Sequence, residues 1–207
     1  MIKFEHTEVC GWEPAIRGMR NPLNSWAKSD SKFTGVEGFT FYDIGDNDLD
    51  LMKRLRNAGT DHRKFMRMLT VYVDITAPLY WWKEFDTYKV GTVANSCSTM
   101  HKIHAKEFTL DDFSHEHLLL KEAKDLLRGT VGFLNYCRDK FLDTRDKEWW
   151  WQMIQLLPSS YNQKRTVMLN YEVLANMYKS RKNHKLDEWH ELCRWIERLP
   201  YQALITE

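Results

Sequence analysis

The first residues of the chain combine an alternating pattern with a helical one. From Ile2 to Val9, apolar and polar side chains alternate loosely, which predicts a β-strand. The sequence Gly11-Trp12-Glu13-Pro14 then begins a segment in which Ala15, Ile16 and Met19 follow helical spacing. The pattern therefore predicts a strand followed directly by a short helix.

The segment from Asn21 to Asp46 has little periodicity and many residues that favour turns. It contains Pro22, Gly35, Gly38 and Gly45 together with several Ser and Asp residues. Because Gly and Pro interrupt regular secondary structure, this composition predicts a loop-rich excursion.

The middle of the chain changes from helical to strand periodicity and back. Apolar residues from Leu49 to Ala58 are helically spaced, and Gly59 stands where a left-handed C-terminal cap belongs. The β-branched, alternating run from Met68 to Ile75 predicts a central strand. Thr76-Ala77-Pro78 offers a capping hydroxyl and a proline suited to a first helical turn, which predicts a helix from Leu79 to Tyr88.

A polar stretch from Val90 to Met100 separates the two halves of the chain. It is rich in Gly, Thr, Ser and Asn, the composition of a loop whose amides and hydroxyls can face a ligand. A plain polar connection has the same composition, so the pattern leaves both interpretations open.

The second half of the chain is mostly helical in pattern. A helical pattern covers Ser114 to Leu142, where Gly129 and Gly132 predict a possible break, and others cover Glu148–Leu156 and Leu186–Ile196. Between them, Lys164 to Leu169 predicts a strand, and Asn170 is a suitable cap for the helix that follows.

Composition narrows the class of protein. The chain has 207 residues, which fits a single domain, α/β or α-rich, over residues 1–207. Thirty basic and 29 acidic residues leave a net charge of +1, so the long-range field of a sequence-independent nucleic-acid binder is missing. Four cysteines without a CxxC pair favour neither a disulfide framework nor a zinc site, and no apolar run approaches a membrane span. We therefore expect a cytoplasmic protein without a membrane segment.

The chain carries none of the common nucleotide-binding, zinc-protease or serine-hydrolase motifs, and its histidines lack clustered carboxylates, so no metal site is predicted. Cys97 lies in a polar loop, where it is either an activated thiol or a small inert residue.

Asn170, Asn176 and Arg181 lie six and five residues apart on one predicted helix. Such a helix can present amides to a heterocycle and a guanidinium to a phosphate, although a solvated face has the same pattern.

Several segments, taken in order, resemble the flavin-dependent thymidylate synthases. The helix, strand and Ala77-Pro78-Leu79 step match the run that leads to the family signature RHRxxSxxxSxRY, and Thr87-Tyr88-Lys89 stands in place of Arg-His-Arg. In the same register, Thr92 keeps a hydroxyl and the second serine falls on Cys97, with Ser98 beside it. The C-terminal match is closer, with Leu157-Pro158, Lys164, Asn170, Asn176 and Arg181 at the family's spacing. Together these segments cover about three quarters of the chain.

The resemblance implies an α/β fold with a central sheet flanked by helices, assembled as a homotetramer with FAD and dUMP at subunit interfaces. In that family NADPH reduces the flavin and methylenetetrahydrofolate supplies the carbon. By register, the cofactor-binding residues are Lys89, Asn170 and Asn176. The nucleotide-binding residues are Thr92, Asn95, Cys97, Ser98, Lys164 and Arg181. No catalytic residue is assigned, because the signature is so altered.

Three functions are compatible with these features. The first is an FAD-dependent enzyme that performs reductive one-carbon transfer to a pyrimidine nucleotide, dUMP or an analogue. The second is a non-catalytic protein of the same fold that senses a nucleotide or binds a protein. The third is an unrelated α-rich interaction protein. Thr87 stands where the family signature has an arginine, and this replacement removes both the charge and the fixed geometry of the guanidinium. The loss favours an altered substrate if the protein is an enzyme, and it motivates the non-catalytic function.

Overall fold

The computed structural model describes residues 2–36 and 39–207 and shows a mixed α/β protein. Its strands are β1 (Lys3–Cys10), β2 (Lys32–Val36), β3 (Phe39–Asp43), β4 (Thr70–Pro78), β5 (Val93–Ser96) and β6 (Asn162–Asn170). Its helices are α1 (Trp12–Arg20), α2 (Asp46–Asn57), α3 (Leu79–Phe85), α4 (Thr99–Lys102), α5 (Lys121–Thr144), α6 (Lys147–Leu156), α7 (Tyr171–Arg181), α8 (Asp187–Ile196) and α9 (Ala203–Thr206). Among the described residues, no helix is long and apolar enough to cross a membrane.

Four strands form one sheet in the order β1-β4-β6-β5, and β2 pairs with β3 in a separate two-stranded sheet. The predicted α/β class is therefore confirmed. Strand β4 begins later than predicted and continues through Pro78 because alternate side chains from Val71 to Ala77 are buried. Thr76 consequently lies inside the strand, and Pro78 is the residue that precedes α3. The proposed capping role of Thr76 is wrong.

The chain divides into two compact units. Unit 1 comprises Met1–Glu5, Asp74–Thr87 and Ala94–Thr166, and unit 2 comprises His6–Val73, Tyr88–Val93 and Val167–Glu207. The prediction of one domain over the whole chain remains a prediction.

Unit 1 has a core in which α5 and α6 take the largest part. The buried members of this cluster are Ile103, Phe108, Phe113, Leu127, Val131, Leu134, Cys137 and Met153. Burial of these side chains removes apolar surface from water and holds the two helices together. It also explains why α5 runs unbroken across Gly129 and Gly132, where a break was predicted.

In unit 2, Trp12, the first residue of α1, lies buried at the centre of an aromatic cluster. This ring stacks on Tyr42 with centroids 5.3 Å apart and meets the edges of Tyr171 at 5.5 Å and Tyr201 at 5.1 Å. Aromatic contacts of this kind stabilise a core beyond simple area burial. The Trp12 cluster thereby joins α1, β3, α7 and the C-terminal residues.

The segment predicted as loop-rich contains the two antiparallel strands β2 and β3. In it, Lys32 pairs with Asp43 and Val36 with Phe39 in antiparallel register. The abundance of glycine concealed the alternating pattern, and the stacking of Tyr42 on Trp12 supplies burial that the local sequence does not reveal. Of the predicted turn residues, Gly38 lies outside the described residues.

A buried ion pair connects this segment to the two flanking helices. Arg20 Nε donates to Asp48 Oδ1 at 2.6 Å, and both side chains are almost completely buried. Asp48 Oδ2 accepts from the hydroxyls of Ser29 and Ser31 at 2.7 Å, and from the backbone amides of Asp30 and Ser31 at 3.1 Å. Both oxygens of the carboxylate are thus hydrogen-bonded, as a buried charge requires.

The environment of Asp48 changes its protonation. Burial acts to raise the pKa of this carboxyl, but hydrogen bonds from Ser31, Ser29 and Arg20 outweigh burial and lower the pKa to about 2. The charged form is therefore the one that the folded protein stabilises.

We expect Asp48→Asn to lower the free energy of unfolding by about 3–5 kcal/mol, because Arg20 would remain buried without its counter-charge. Urea denaturation would measure the change. Asp50→Asn is a matched control in the same helix, because Asp50 and Arg54 form an exposed ion pair at 3.2 Å. We expect it to cost less than about 1 kcal/mol. Equal losses in the two variants would contradict the assigned role of Asp48.

The lowered pKa of Asp48 also predicts a dependence of stability on pH. A carboxyl whose folded pKa is depressed stabilises the protein above its unfolded pKa, and this contribution is lost as pH falls through the folded pKa. We expect a loss of roughly 2 kcal/mol from this group between about pH 4 and pH 2. Comparison of unfolding curves for the wild type and Asp48→Asn across this range isolates the contribution. A parallel pH dependence in the two proteins would contradict it.

Candidate functional site

Asn170 lies where β6 ends and α7 begins, and both ends of its amide are engaged. Its Oδ1 accepts a hydrogen bond from Val173 N at 2.9 Å, so the predicted N-cap is confirmed. Its Nδ2 donates to Gly91 O at 3.4 Å. One side chain therefore starts the helix and holds the loop of residues 88–92 against it.

Gly91 is needed at this contact. Its φ of +78° is a conformation that other residues adopt only with strain, and a Cβ atom there would lie 2.5 Å from Asn170 Nδ2. The close approach of loop and helix therefore depends on the absence of a side chain.

The other end of α7 contacts the same loop through Arg181. Its Nε donates to Tyr88 Oη at 2.9 Å. The guanidinium carbon lies 5.5 Å from the centre of the Tyr88 ring and 4.6 Å from that of Trp189 on α8. A planar cation gains from such contacts with aromatic faces. Tyr88 thus fixes the orientation of Arg181.

The remaining predicted residues of this loop have simpler surroundings. Thr92 donates its hydroxyl hydrogen to Tyr88 O, which closes the 88–92 loop on itself. Lys89 is exposed within the loop. Two direct side-chain contacts, from Asn170 to Gly91 and from Arg181 to Tyr88, therefore hold this loop beside α7.

A second group of predicted residues lies in unit 1. Cys97 N donates to Lys164 O at 2.9 Å, and Cys97 O accepts from Gln163 Nε2 at 2.8 Å. The backbone of Cys97 is therefore fixed against β6, while its side chain is exposed. Ser98 caps α4 through its hydroxyl, and Asn95 is exposed on β5.

Lys164 is paired with two carboxylates. Its ammonium lies 3.1 Å from Asp74 Oδ2 and 3.3 Å from Glu5 Oε2. Hydrogen bonds to Asp74 and then to Glu5 raise the pKa of Lys164, so it carries its charge. Two negative neighbours offset that charge and weaken the attraction that Lys164 can exert on a phosphate.

A neighbouring cluster around Arg165 was not predicted from the sequence. Arg165 donates to Asp86 Oδ1 at 2.7 Å and to Gln163 Oε1 at 3.0 Å, and its guanidinium lies 4.1 Å from the centre of the Trp82 ring. Trp82 Nε1 in turn donates to Gln163 O at 2.9 Å. These contacts join distant parts of the sequence, so local patterns could not have revealed them.

Asn176 lines a cavity of about 490 Å³, which we call the basic cavity. Its four cationic side chains are Arg56, Arg63, Lys179 and Lys182. Arg63 forms an ion pair with Glu172 at 3.0 Å, and Arg56 donates to Leu204 O at 2.9 Å. The spacing of Lys179 and Lys182 behind Asn176 could have indicated this face from the sequence, but the two arginines come from a distant segment.

A larger cavity of about 810 Å³ lies between α1, α2 and the turn at residues 63–67. Apolar side chains including Leu51, Leu55 and Phe65 line one part, and Lys28 and Lys64 line another. Its volume falls in the range of small-molecule sites. No group of three or more metal-binding side chains occurs within residues 2–36 and 39–207.

Comparison with known proteins identifies the architecture. No protein-family model and no curated protein sequence matches the chain. A crystal structure of flavin-dependent thymidylate synthase ThyX from Helicobacter pylori, complexed with FAD and dUMP, aligns with a TM-score of 0.69 and 17% identity, over 99% of this chain and 97% of that one. A second structure of ThyX from this organism, with FAD and dUMP, gives 0.68 and 16% over 99% and 95%. The chain has the ThyX fold.

Within this ThyX fold the predicted site residues fall into two groups. Lys89, Thr92, Asn170, Asn176 and Arg181 belong to unit 2, and the others belong to unit 1. The structure brings Thr92, Asn170 and Arg181 to the 88–92 loop, whereas Asn176 lines the basic cavity. Their assignment to FAD and nucleotide remains a prediction.

We expect Gly91→Ala to destabilise the protein by about 1–2 kcal/mol more than Gly59→Ala. Both glycines have positive φ, but only Gly91 has Asn170 in the space a Cβ would occupy, since no described atom lies within 4 Å of that space at Gly59. Thermal or urea unfolding of the two variants measures the difference. Equal destabilisation would show that the contact with Asn170 imposes no steric limit.

Proposed function

We propose that this protein is a flavoprotein that binds FAD and a pyrimidine nucleotide, dUMP or an analogue, for reductive one-carbon transfer. The observation that carries the proposal is the contact of α7 with the 88–92 loop through Asn170 and Arg181. These residues stand in the register that the thymidylate synthase resemblance assigns to FAD and nucleotide, on a fold shared with structures that hold both ligands.

The residues of unit 2 fit the chemical demands of FAD. Its pyrophosphate requires cationic donors, which Arg56, Lys179 and Lys182 supply around the basic cavity beside Asn176. Its ring systems require polar groups that fix their orientation, which the amides of Asn170 and Asn176 can provide. When bound, FAD supplies the hydride for the transfer. NADPH as reductant and methylenetetrahydrofolate as carbon donor complete the proposed set of substrates.

The orientation of Arg181 supports an anion-binding role for that residue. Tyr88 and Trp189 hold its guanidinium by ring contacts, and its Nε donates a hydrogen bond to Tyr88 Oη, so the orientation of the group is fixed before a ligand arrives. A donor that is already oriented loses less conformational freedom on binding. We propose that Arg181 contacts a phosphate of the nucleotide or cofactor.

A homotetramer is part of this proposal, because Lys164 and Arg165 are both paired with carboxylates in unit 1. Additional positive charge for a nucleotide phosphate would then come from another subunit. The residues of the 93–98 segment, Asn95, Cys97 and Ser98, are the proposed nucleotide contacts.

The same charge pairing favours a second candidate function. Asp74 and Glu5 offset Lys164, Asp86 offsets Arg165, and Thr87-Tyr88-Lys89 stands in place of Arg-His-Arg. Loss of desolvated charged contacts typically costs about 2–5 kcal/mol each, which is enough to remove turnover while a fold persists. A non-catalytic protein that binds nucleotide, without flavin reduction, is the alternative.

We expect the purified protein to show the visible absorbance of oxidised flavin, or to bind FAD on titration. Asn170→Ser should weaken FAD binding about tenfold, because serine keeps the helix cap but removes the amide donor. Asn183→Ser, an exposed position beyond the end of α7, is the matched control and should bind FAD as the wild type does. Fluorescence titration of FAD measures all three proteins.

NADPH oxidation and methylation of dUMP, assayed with the flavin-loaded protein, separate the two functions. Flavin binding with nucleotide-dependent NADPH oxidation supports the enzyme. Nucleotide binding without oxidation, under any pyrimidine nucleotide supplied, supports the non-catalytic alternative. A protein that neither contains nor binds FAD would remove the leading proposal.

A further inference from the structure

The ammonium of Lys164 is drawn to one side of its strand, β6. The sheet order β1-β4-β6-β5 places Asp74 on the strand next to β6 and Glu5 on the strand beyond it. Lys164 Nζ reaches both carboxylates, at 3.1 Å from Asp74 Oδ2 and 3.3 Å from Glu5 Oε2. All three residues belong to unit 1. The side chain of Lys164 therefore extends across β4 towards β1.

The proposed nucleotide contacts of unit 1 lie on the other side of β6. Strand β5 is the neighbour there, and the residues from Asn95 to Ser98 follow its course. The backbone amide of Cys97 donates to Lys164 O at 2.9 Å, so these residues lie directly beside the main chain of Lys164. The main chain of Lys164 is thus next to the proposed contacts, while its charge is held towards β4.

Asp74 is the firmer of the two carboxylate partners. Its second oxygen, Oδ1, accepts from Thr166 Oγ1 at 2.6 Å. Lys164 and Thr166 are two residues apart on β6, so they share a face of the strand, and each engages one oxygen of Asp74. The side chain of Asp74 is 19% exposed and that of Glu5 is 48% exposed. Water therefore screens the charge of Asp74 less than that of Glu5.

We propose that Asp74 is a specificity-determining residue that lowers the affinity of this site for a phosphorylated pyrimidine by holding Lys164 away from residues 95–98. The inference rests on the proposed function, in which Lys164 is a nucleotide contact. A phosphate gains the charge of Lys164 only if the ion pair with Asp74 is given up, so the exchange yields little net affinity. A pyrimidine nucleoside has no phosphate and makes no such exchange. Asp74 thereby shifts the preference of the site towards unphosphorylated ligands.

The next residue of β6 supplies a matched control. Side chains alternate between the two faces of a strand, so Arg165 and Lys164 point to opposite faces. Arg165 donates to Asp86 Oδ1 at 2.7 Å, and its guanidinium lies 4.1 Å from the centre of the Trp82 ring. Asp86→Asn removes the same charge as Asp74→Asn but leaves both partners of Lys164 in place. The pair of variants separates release of Lys164 from a general change in charge.

Calorimetric titration with dUMP and with 2′-deoxyuridine, in the presence of FAD, tests the proposal. Asp74→Asn should raise the affinity for dUMP about fivefold and leave that for deoxyuridine within about twofold of the wild type. Asp86→Asn should change the ratio of the two affinities by less than about twofold. Asparagine has the shape of aspartate and can still accept from Thr166, and circular dichroism checks that each variant is folded.

A double-variant cycle shows whether the gain passes through Lys164. In a Lys164→Gln background, Asp74→Asn should no longer raise the affinity for dUMP, because the ammonium that it would release is absent. Glu5→Gln should give a smaller gain than Asp74→Asn, since Glu5 is farther from Lys164 and more exposed. The gain should also shrink in about 1 M salt, where the Debye length is about 3 Å.

Three results would overturn the proposal while the proposed function stands. These are an unchanged ratio of dUMP to deoxyuridine affinity in Asp74→Asn, an equal rise of this ratio in Asp86→Asn, and a rise that persists in the Lys164→Gln background. If neither pyrimidine binds to the wild type or to any variant, the pyrimidine part of the proposed function fails, and this inference fails with it.

Discussion

The carboxylates of Asp30 and Asp48 each accept hydrogen bonds from backbone amides of the other's segment, and these bonds fix the start of α2. Asp30 accepts from the backbone amides of Asn47 at 2.9 Å and Asp48 at 3.1 Å, which would otherwise be unpaired at the helix terminus. Asp48 in turn accepts from the amides of Asp30 and Ser31 and neutralises buried Arg20. These reciprocal hydrogen bonds hold residues 30–31 against the first turn of α2. Since Arg20 also lines the 810 Å³ cavity, the shape of that cavity depends on the same ion pair.

The basic residues of the candidate site are offset by carboxylates to a different extent in the two units. In unit 1 the basic residues Lys164 and Arg165 lie in ion pairs, so their charge is largely offset locally. In unit 2 the basic cavity gathers four cations and one carboxylate, that of Glu207, and Arg63 is paired with Glu172. An anion would therefore gain most from unit 2. This distribution explains how a chain with a net charge of only +1 can still offer a local site for a phosphate.

Most helices and strands could be predicted because their buried apolar residues recur at the spacing of a helix or of a strand. The cap at Asn170 was also accessible, since a short polar side chain directly before a helical pattern is a common N-cap. The pairing of β2 with β3 was missed because the glycines of this segment outweighed its alternation, and the stack of Tyr42 on Trp12, distant in sequence, contributes to its burial. Ion pairs such as Lys164 with Asp74 could not be found at all, because their members are about ninety residues apart.

Gly129 and Gly132 show why a correct local argument can give a wrong structural conclusion. Glycine does disfavour a helix, and a break was the reasonable expectation from the sequence. The helix persists because its inner face is buried with α6, so packing outweighs the local penalty. Local propensity therefore sets only a cost, and the apolar surface that the other face of the helix buries decides whether the helix continues through such a residue.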